Sequence, residues 1–199
     1  VSSKPRLTCF IQELSILRMK RTPVPKGKRI QLKQFQVNSP RLMDSSISID
    51  VSNHYHGLTY SQDKLNFFFE QVFTLHANDI QGVLSVVFLN REKHTQIHGQ
   101  FLNDFRPTDV ITFPADPTNG MVGEICASVD QAKEEARDRN LPVAEELSLY
   151  LIHGWLHLIG FDDCEEIDRK IMIREQTNTM ETIRKSNAWP DFTFSADQL

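Results

Sequence analysis

The chain has 199 residues, 40% of them hydrophobic and 24% charged, which suits one domain with its own core and an ordinary globular surface. No apolar run approaches a membrane span, and the patch from Leu7 to Leu17 is broken by polar residues and lacks a small-residue cleavage pattern, so no membrane segment or secretory leader is expected. The net charge of −4 is uneven: residues 1–44 carry ten Lys or Arg against Glu13 and Asp44, a net +8, and the remainder carries −12. A basic arm on an acidic domain suits phosphate contacts, but the plainer reading is a poorly ordered extension whose charge has no specific partner. Cys9, Cys126 and Cys164 are an odd, scattered set without a CxxC pair. A disulfide framework is therefore not expected, and the cytoplasm is the expected compartment.

Residues 1–44 show little periodicity, and Thr22-Pro-Val-Pro-Lys-Gly-Lys-Arg29 reads as extended chain. A short helix is conceivable over Ile11 to Met19. The folded domain is expected to begin near Met43, with residues 45–185 forming it. Ile47-Ser-Ile-Asp-Val51 alternates apolar and polar residues and predicts a strand. Ser61 to Leu75 places Leu65, Phe68, Phe69, Val72 and Phe73 at helical spacing, with Ser61 as N-cap. Val83 to Leu89 reads as a buried strand, Thr108 to Pro114 as another ended by proline, and Val122 to Ala127 as a fourth. Val129 to Arg139 reads as a charged helix. Pro142 suits the first turn of the next helix, which runs through Leu147 and Leu151 into a histidine pair. Asp168 to Arg184 predicts a final helix, and residues 186–199 read as a loose C-terminal tail. The fold class expected is α+β: a small mixed sheet of about four strands packed with helices.

The chemistry is concentrated in His153-Gly-Trp-Leu-His157-Leu-Ile-Gly160-Phe-Asp162-Asp163. Histidines at i and i+4 share one helical face, with Cβ atoms ~6 Å apart, so both imidazoles can reach one ion at ~2.0–2.1 Å. Gly160 can stop the helix and let the chain return Asp163 to the same face. Two imidazoles, one carboxylate and an open fourth position describe a catalytic divalent site, with zinc as the expected ion. A carboxylate among the ligands leaves the ion less positive than three histidines would, acidifies a bound water less, and moves preference modestly toward manganese or magnesium. Asp162 is a candidate to orient an imidazole from behind. The spacing also matches metalloproteases of the HExxHxxGxxH or D type, but their general-base glutamate is replaced by Gly154. That directs the reading toward metal-assisted attack on a phosphodiester.

These residues resemble a known family. His153 to Asp163 looks like the HGxLHLxGYDH signature of the YbeY endoribonucleases. Phe101 to Pro114 resembles that family's FRxxDxPTDVLSFP stretch, Gly123-Glu-Ile its GDI strand, and Glu166 to Glu175 the helix after the metal motif. The resemblance covers roughly residues 47–185. It implies a compact α+β fold with about five helices, one zinc ion, and single-strand-specific endoribonuclease activity. The implied work is 16S rRNA 3′ end maturation and ribosome quality control, with precursor rRNA and the small ribosomal subunit as partners. Three departures stand out: Asp163 where the family usually has histidine, Leu102 where it has an arginine, and His98 where it often has asparagine. Arg106 is the candidate to replace that arginine as a phosphate contact, and Arg91 and Lys93 are candidates to join it in a basic groove. The alternative is a metal-stabilised, non-catalytic ribosome-assembly factor; a zinc protease is less favoured.

Overall fold

The computed structural model describes residues 47–76, 80–115 and 120–195. In chain order the elements are β1 (Ile47–Asn53), β2 (Leu58–Thr59), α1 (Gln62–His76), β3 (Gly82–Leu89), α2 (Arg91–Leu102), β4 (Val110–Pro114) and β5 (Met121–Ser128). Then follow α3 (Val129–Arg139), α4 (Val143–Leu158), α5 (Glu166–Ser186) and β6 (Thr193–Phe194). The four long strands form one mixed sheet in the order β1-β3-β5-β4, with β1, β3 and β5 parallel and β4 antiparallel to β5. The fold is α+β, as the sequence predicts.

The alternation of the strands divides the apolar residues between two faces. Ile49 and Val51 of β1, Leu84, Val86 and Phe88 of β3, and Ile125 and Ala127 of β5 face the main core. There they meet Leu65, Phe68, Phe69 and Val72 of α1, Leu147, Leu151, Ile152, Trp155 and Leu156 of α4, and Met172 and Ile183 of α5. α4 is apolar nearly all round because it is enclosed by other elements. The opposite face is smaller: Leu89, Ile111 and Cys126 with Val87, Ile97 and Phe113.

Three elements, α2 and the short strands β2 and β6, differ from the sequence expectation. α2 was not anticipated, because its buried residues are His94, His98 and Gly99 rather than an apolar stripe. Its start is marked by Asn90, whose side chain accepts from the Lys93 N–H, and its end by Asn103 in the left-handed region. The stretch after α5 is not loose through residue 195. Asn187 caps α5, Ala188 and Phe192 are buried, and Thr193–Phe194 pairs antiparallel with Leu58–Thr59. Phe192 supplies the reason: its ring packs edge-on against Phe88, 5.4 Å between centroids, and against Tyr60. The expectations for residues 1–44 lie outside the described residues.

Candidate metal centre

α4 positions the two histidines by the packing of its other faces. Gly154 lies against the sheet: a Cβ there would sit 2.8 Å from Ile125 Cγ2, 3.1 Å from Val110 Cγ2 and 3.2 Å from Thr112 Cγ2. The residue after the first histidine therefore points into strands β4 and β5. A glutamate in the protease pattern has no room here, which gives the missing general base a structural cause. With that face pressed on the sheet, His153 and His157 share another, with ring centroids 4.4 Å apart.

The end of α4 builds the rest of the site. Gly160 has φ 99°, in the left-handed region that glycine enters without strain. Its N–H donates to His157 O at 3.0 Å and the Phe161 N–H to Leu156 O at 2.9 Å, so the helix closes as a glycine-terminated turn. That turn aims the Phe161 carbonyl at His157 Nδ1, 3.1 Å away. A carbonyl only accepts, so Nδ1 carries the proton and Nε2 of the neutral ring keeps its lone pair. His157 Nε2 lies 3.1 Å from His153 Nε2. Two nitrogens bound to one tetrahedral ion at ~2.05 Å are ~3.3 Å apart, so the pair is already spaced for a shared ion. Asp163 Oδ2 lies 4.0 Å from His153 Nε2, and ligand atoms of all three residues fall within 4.8 Å of one another. His153 and Asp163 are buried and His157 is half-buried. This His-His-Asp group could hold a metal, and its donors fit a divalent ion of zinc's kind.

Asp162 does not orient an imidazole. Its Oδ1 accepts from the backbone N–H groups of Asp163 at 2.7 Å and Cys164 at 3.2 Å, a local turn that shapes the ligand loop. The His157 outer nitrogen is instead served by Phe161 O, and that of His153 by Gln176 of α5, 2.7 Å away. Arg169 fastens the same loop by donating to Asp163 O at 3.0 Å and Cys164 O at 2.9 Å. Gln176 and Arg169 were not foreseen; polar residues on a charged helix carry no local signal of such a role. Cys164 belongs to the same loop, its N–H donating to Asp162 Oδ1 and its carbonyl accepting from Arg169.

The electrostatics favour a neutral His157 ligand. Burial, reinforced by the neighbouring His153, lowers the His157 pKa to about 4, so protons compete weakly for Nε2 at neutral pH. Asp109 adds negative charge nearby. Burial opposes its ionisation, but His153, the Val110 N–H and the Thr108 hydroxyl outweigh burial and hold its carboxyl below the usual value.

The proposed basic groove does not assemble. The exposed Arg106 is bound by Asp104 through Nε and Nη2, at 3.0 and 2.7 Å, which offsets its charge. The pair holds the Asp104 carboxyl down at about 2. Arg91 faces α3, its guanidinium on Glu134 and its N–H on Asp130. Lys93 is exposed in the first turn of α2. His98 is buried and its Nδ1 donates to Arg106 O at 2.9 Å, so it ties the loop rather than offering a ligand. Leu102 ends α2.

The model of the family Endoribonuclease YbeY matches residues 50–184. An endoribonuclease YbeY of Protochlamydia amoebophila (strain UWE25) is 33% identical over 143 residues, which is 70% of this chain and 95% of the relative. An endoribonuclease YbeY of Acholeplasma laidlawii (strain PG-8A) is 34% identical over 105 residues, 52% of this chain and 74% of that one. The solution structure of TM1509 from Thermotoga maritima is similar with a TM-score of 0.50 at 27% identity, covering 70% of this chain and 93% of that one.

Proposed function

Because the chain belongs to the YbeY family, we propose that it is a metal-dependent, single-strand-specific endoribonuclease acting in 16S rRNA 3′ end maturation and ribosome quality control. The observation that carries this reading is the pair of imidazole nitrogens 3.1 Å apart, with the Asp163 carboxylate beside them. His153, His157 and Asp163 would hold one divalent ion, zinc first among candidates. Such an ion supplies Lewis acidity toward a phosphoryl oxygen and makes water a better nucleophile. The chain's own contribution is orientation. Phe161 O fixes the His157 tautomer, Asp162 and Arg169 shape the loop that carries Asp163, and the sheet holds α4 through Gly154. The same contact at Gly154 leaves proteolysis without its base. Partners on this reading are single-stranded precursor rRNA and the small ribosomal subunit. The compartment is the cytoplasm; among the described residues no helix is long and apolar enough to cross a membrane.

A second reading, a non-catalytic assembly factor clipped by its metal, is favoured by one observation: Asp104 offsets the charge of Arg106, the candidate phosphate contact. One assay separates the readings. Purified protein is incubated with a labelled single-stranded RNA, with the same sequence as a duplex, and with casein. The nuclease cleaves the single strand alone. Intact RNA beside stoichiometric bound metal supports the assembly factor, and cleaved casein supports the protease.

A further inference from the structure

We infer that Phe105 is a stacking platform for an unpaired base of single-stranded RNA. The inference rests on the endoribonuclease reading above and names a subsite for it. Phe105 lies in the loop between α2 and β4 and is 68% exposed, the most exposed phenylalanine among the described residues. A Cβ at Gly99 would collide with Cδ1, Cε1 and Cζ of its ring. Those three adjacent atoms are nearly equidistant from that point, so the glycine lies under the face of the ring and not at its edge. Glycine is unfavourable inside a helix; here it makes room for the ring. One face of Phe105 is therefore covered by α2, and the exposure belongs to the other.

The backbone on both sides of the ring is tied down. The Asn103 N–H donates to Gly99 O at 3.1 Å, the Arg106 N–H to Asp104 Oδ1 at 2.9 Å, and His98 Nδ1 to Arg106 O at 2.9 Å. The ring is thus held in place before any ligand arrives, so little freedom is lost on binding. The loop also leads to the metal centre. Phe105 is four residues before Asp109, whose charge acts on His153. Four residues of extended chain span at most ~14 Å, within the reach of a short single strand.

The surroundings select a base rather than a phosphate. Arg106 and Arg91 have their charges offset by Asp104 and Glu134, so attraction for the RNA backbone is weak here. Phe105 and Pro107 line a groove of about 800 Å³, a volume ample for a base, together with the uncharged polar side chains of Asn90, Thr95 and Gln96. Glu92 and Asp130 also border it, which disfavours a phosphate but not a neutral base with N–H groups to donate. An open aromatic face beside amides and a hydroxyl offers stacking along one direction and hydrogen bonds along the other. A duplex presents no free base face, so a platform of this kind discriminates single strands without a basic groove. Stacking of one base on an aromatic side chain typically changes affinity about 5- to 150-fold.

The test uses the full chain and a labelled single-stranded RNA of about ten nucleotides, long enough to span one such binding groove. Its duplex, an abasic strand of the same length and an oligoarginine peptide serve as the other probes. Binding to wild type, Phe105→Ala and Phe105→Trp is followed by fluorescence anisotropy. Phe105→Ala is expected to bind the single strand about 5- to 150-fold more weakly, and Phe105→Trp at least as tightly as wild type. The abasic strand and the duplex are expected to bind all three proteins alike. The tryptophan added in Phe105→Trp should be quenched by the single strand and not by the abasic one. Equal affinity of Phe105→Ala and wild type for the single strand overturns the inference, as does an added tryptophan that RNA does not quench. Loss of oligoarginine binding in Phe105→Ala, with RNA binding unchanged, overturns it in favour of a basic peptide on the ring. These results leave the nuclease reading standing. Wild type that neither binds nor cleaves single-stranded RNA defeats both. The quenching in Phe105→Trp decides the matter even where Phe105→Ala disturbs the loop.

Discussion

Gly154→Ala tests whether the sheet, rather than a helical preference, dictates the residue beside the first histidine. In an open helix this change is stabilising by about 1 kcal/mol, because glycine loses more backbone freedom than alanine. At position 154 the new methyl would meet three side-chain carbons at 2.8, 3.1 and 3.2 Å, whereas carbons rest at ~3.5–4.0 Å. Two of those carbons belong to valine and isoleucine in strands, whose χ1 angles have little freedom. α4 is buried along most of its length and has few directions in which to retreat. Overpacking of this kind costs about 1–3 kcal/mol. Set against the ~1 kcal/mol gained from helix propensity, the expected result is a net loss of about 1 kcal/mol. That corresponds to a fall of about 2–4 °C in Tm for a domain of this size. The assay is urea unfolding in EDTA, followed by the fluorescence of the buried Trp155 and by circular dichroism. The sign decides: a variant about 1 kcal/mol more stable than wild type would show that α4 does not bear on the sheet here, and the account of the missing protease base would fall with it.

Three further outcomes follow from the same geometry. Burial lowers the His94 pKa to about 4, against 6.5 when exposed, so the unfolded chain binds the extra proton first. This stabilisation is present above pH 6.5 and is lost as pH falls toward 4, up to about 3 kcal/mol; in metal-free protein, urea midpoints of wild type and His94→Gln that fall in parallel between pH 7 and 4 would contradict it. Asp162→Ala removes the acceptor for two backbone N–H groups, so zinc affinity should drop about tenfold with all three ligands retained, as read by chelator competition; an unchanged affinity would show that the loop holds Asp163 without it. Asp163→His exchanges a hard oxygen for an imidazole, so the ratio of zinc to manganese affinity should rise, and a falling ratio in competitive dialysis would place the carboxylate outside the ion's ligand sphere.

The parts of the structure legible in the sequence are those written in side-chain periodicity and chain-breaking residues. Alternation in Ile47–Val51 and the valine-rich run before Leu89 marked β1 and β3. Pro142 and Gly160 bracketed α4 closely, and Gly160 also announced the turn that returns Asp163. What stayed hidden depends on contacts between distant residues. α2 buries two histidines and a glycine instead of an apolar stripe, so its period is silent, although Asn90 before it is a readable cap. β6 is two residues long and is held by Phe192 against Phe88, a contact across the chain. Within the site, the ligand pattern was visible because i, i+4 and a glycine stop are local. Its supports were not: Gln176 lies 23 residues from His153, and the role of Asp162 depended on which way its carboxylate turned. The pairing of Arg106 with Asp104 was open to view two residues apart, and their proximity alone argued against a free cation.

Restoration of activity by metal tests the central claim most directly. Protein stripped with EDTA is titrated with zinc while cleavage of a single-stranded RNA is followed, beside His157→Ala treated identically. The account predicts no cleavage by the stripped protein, recovery that saturates near one equivalent of zinc, and no recovery in the variant. Undiminished cleavage by stripped protein, or full cleavage by His157→Ala, would contradict it.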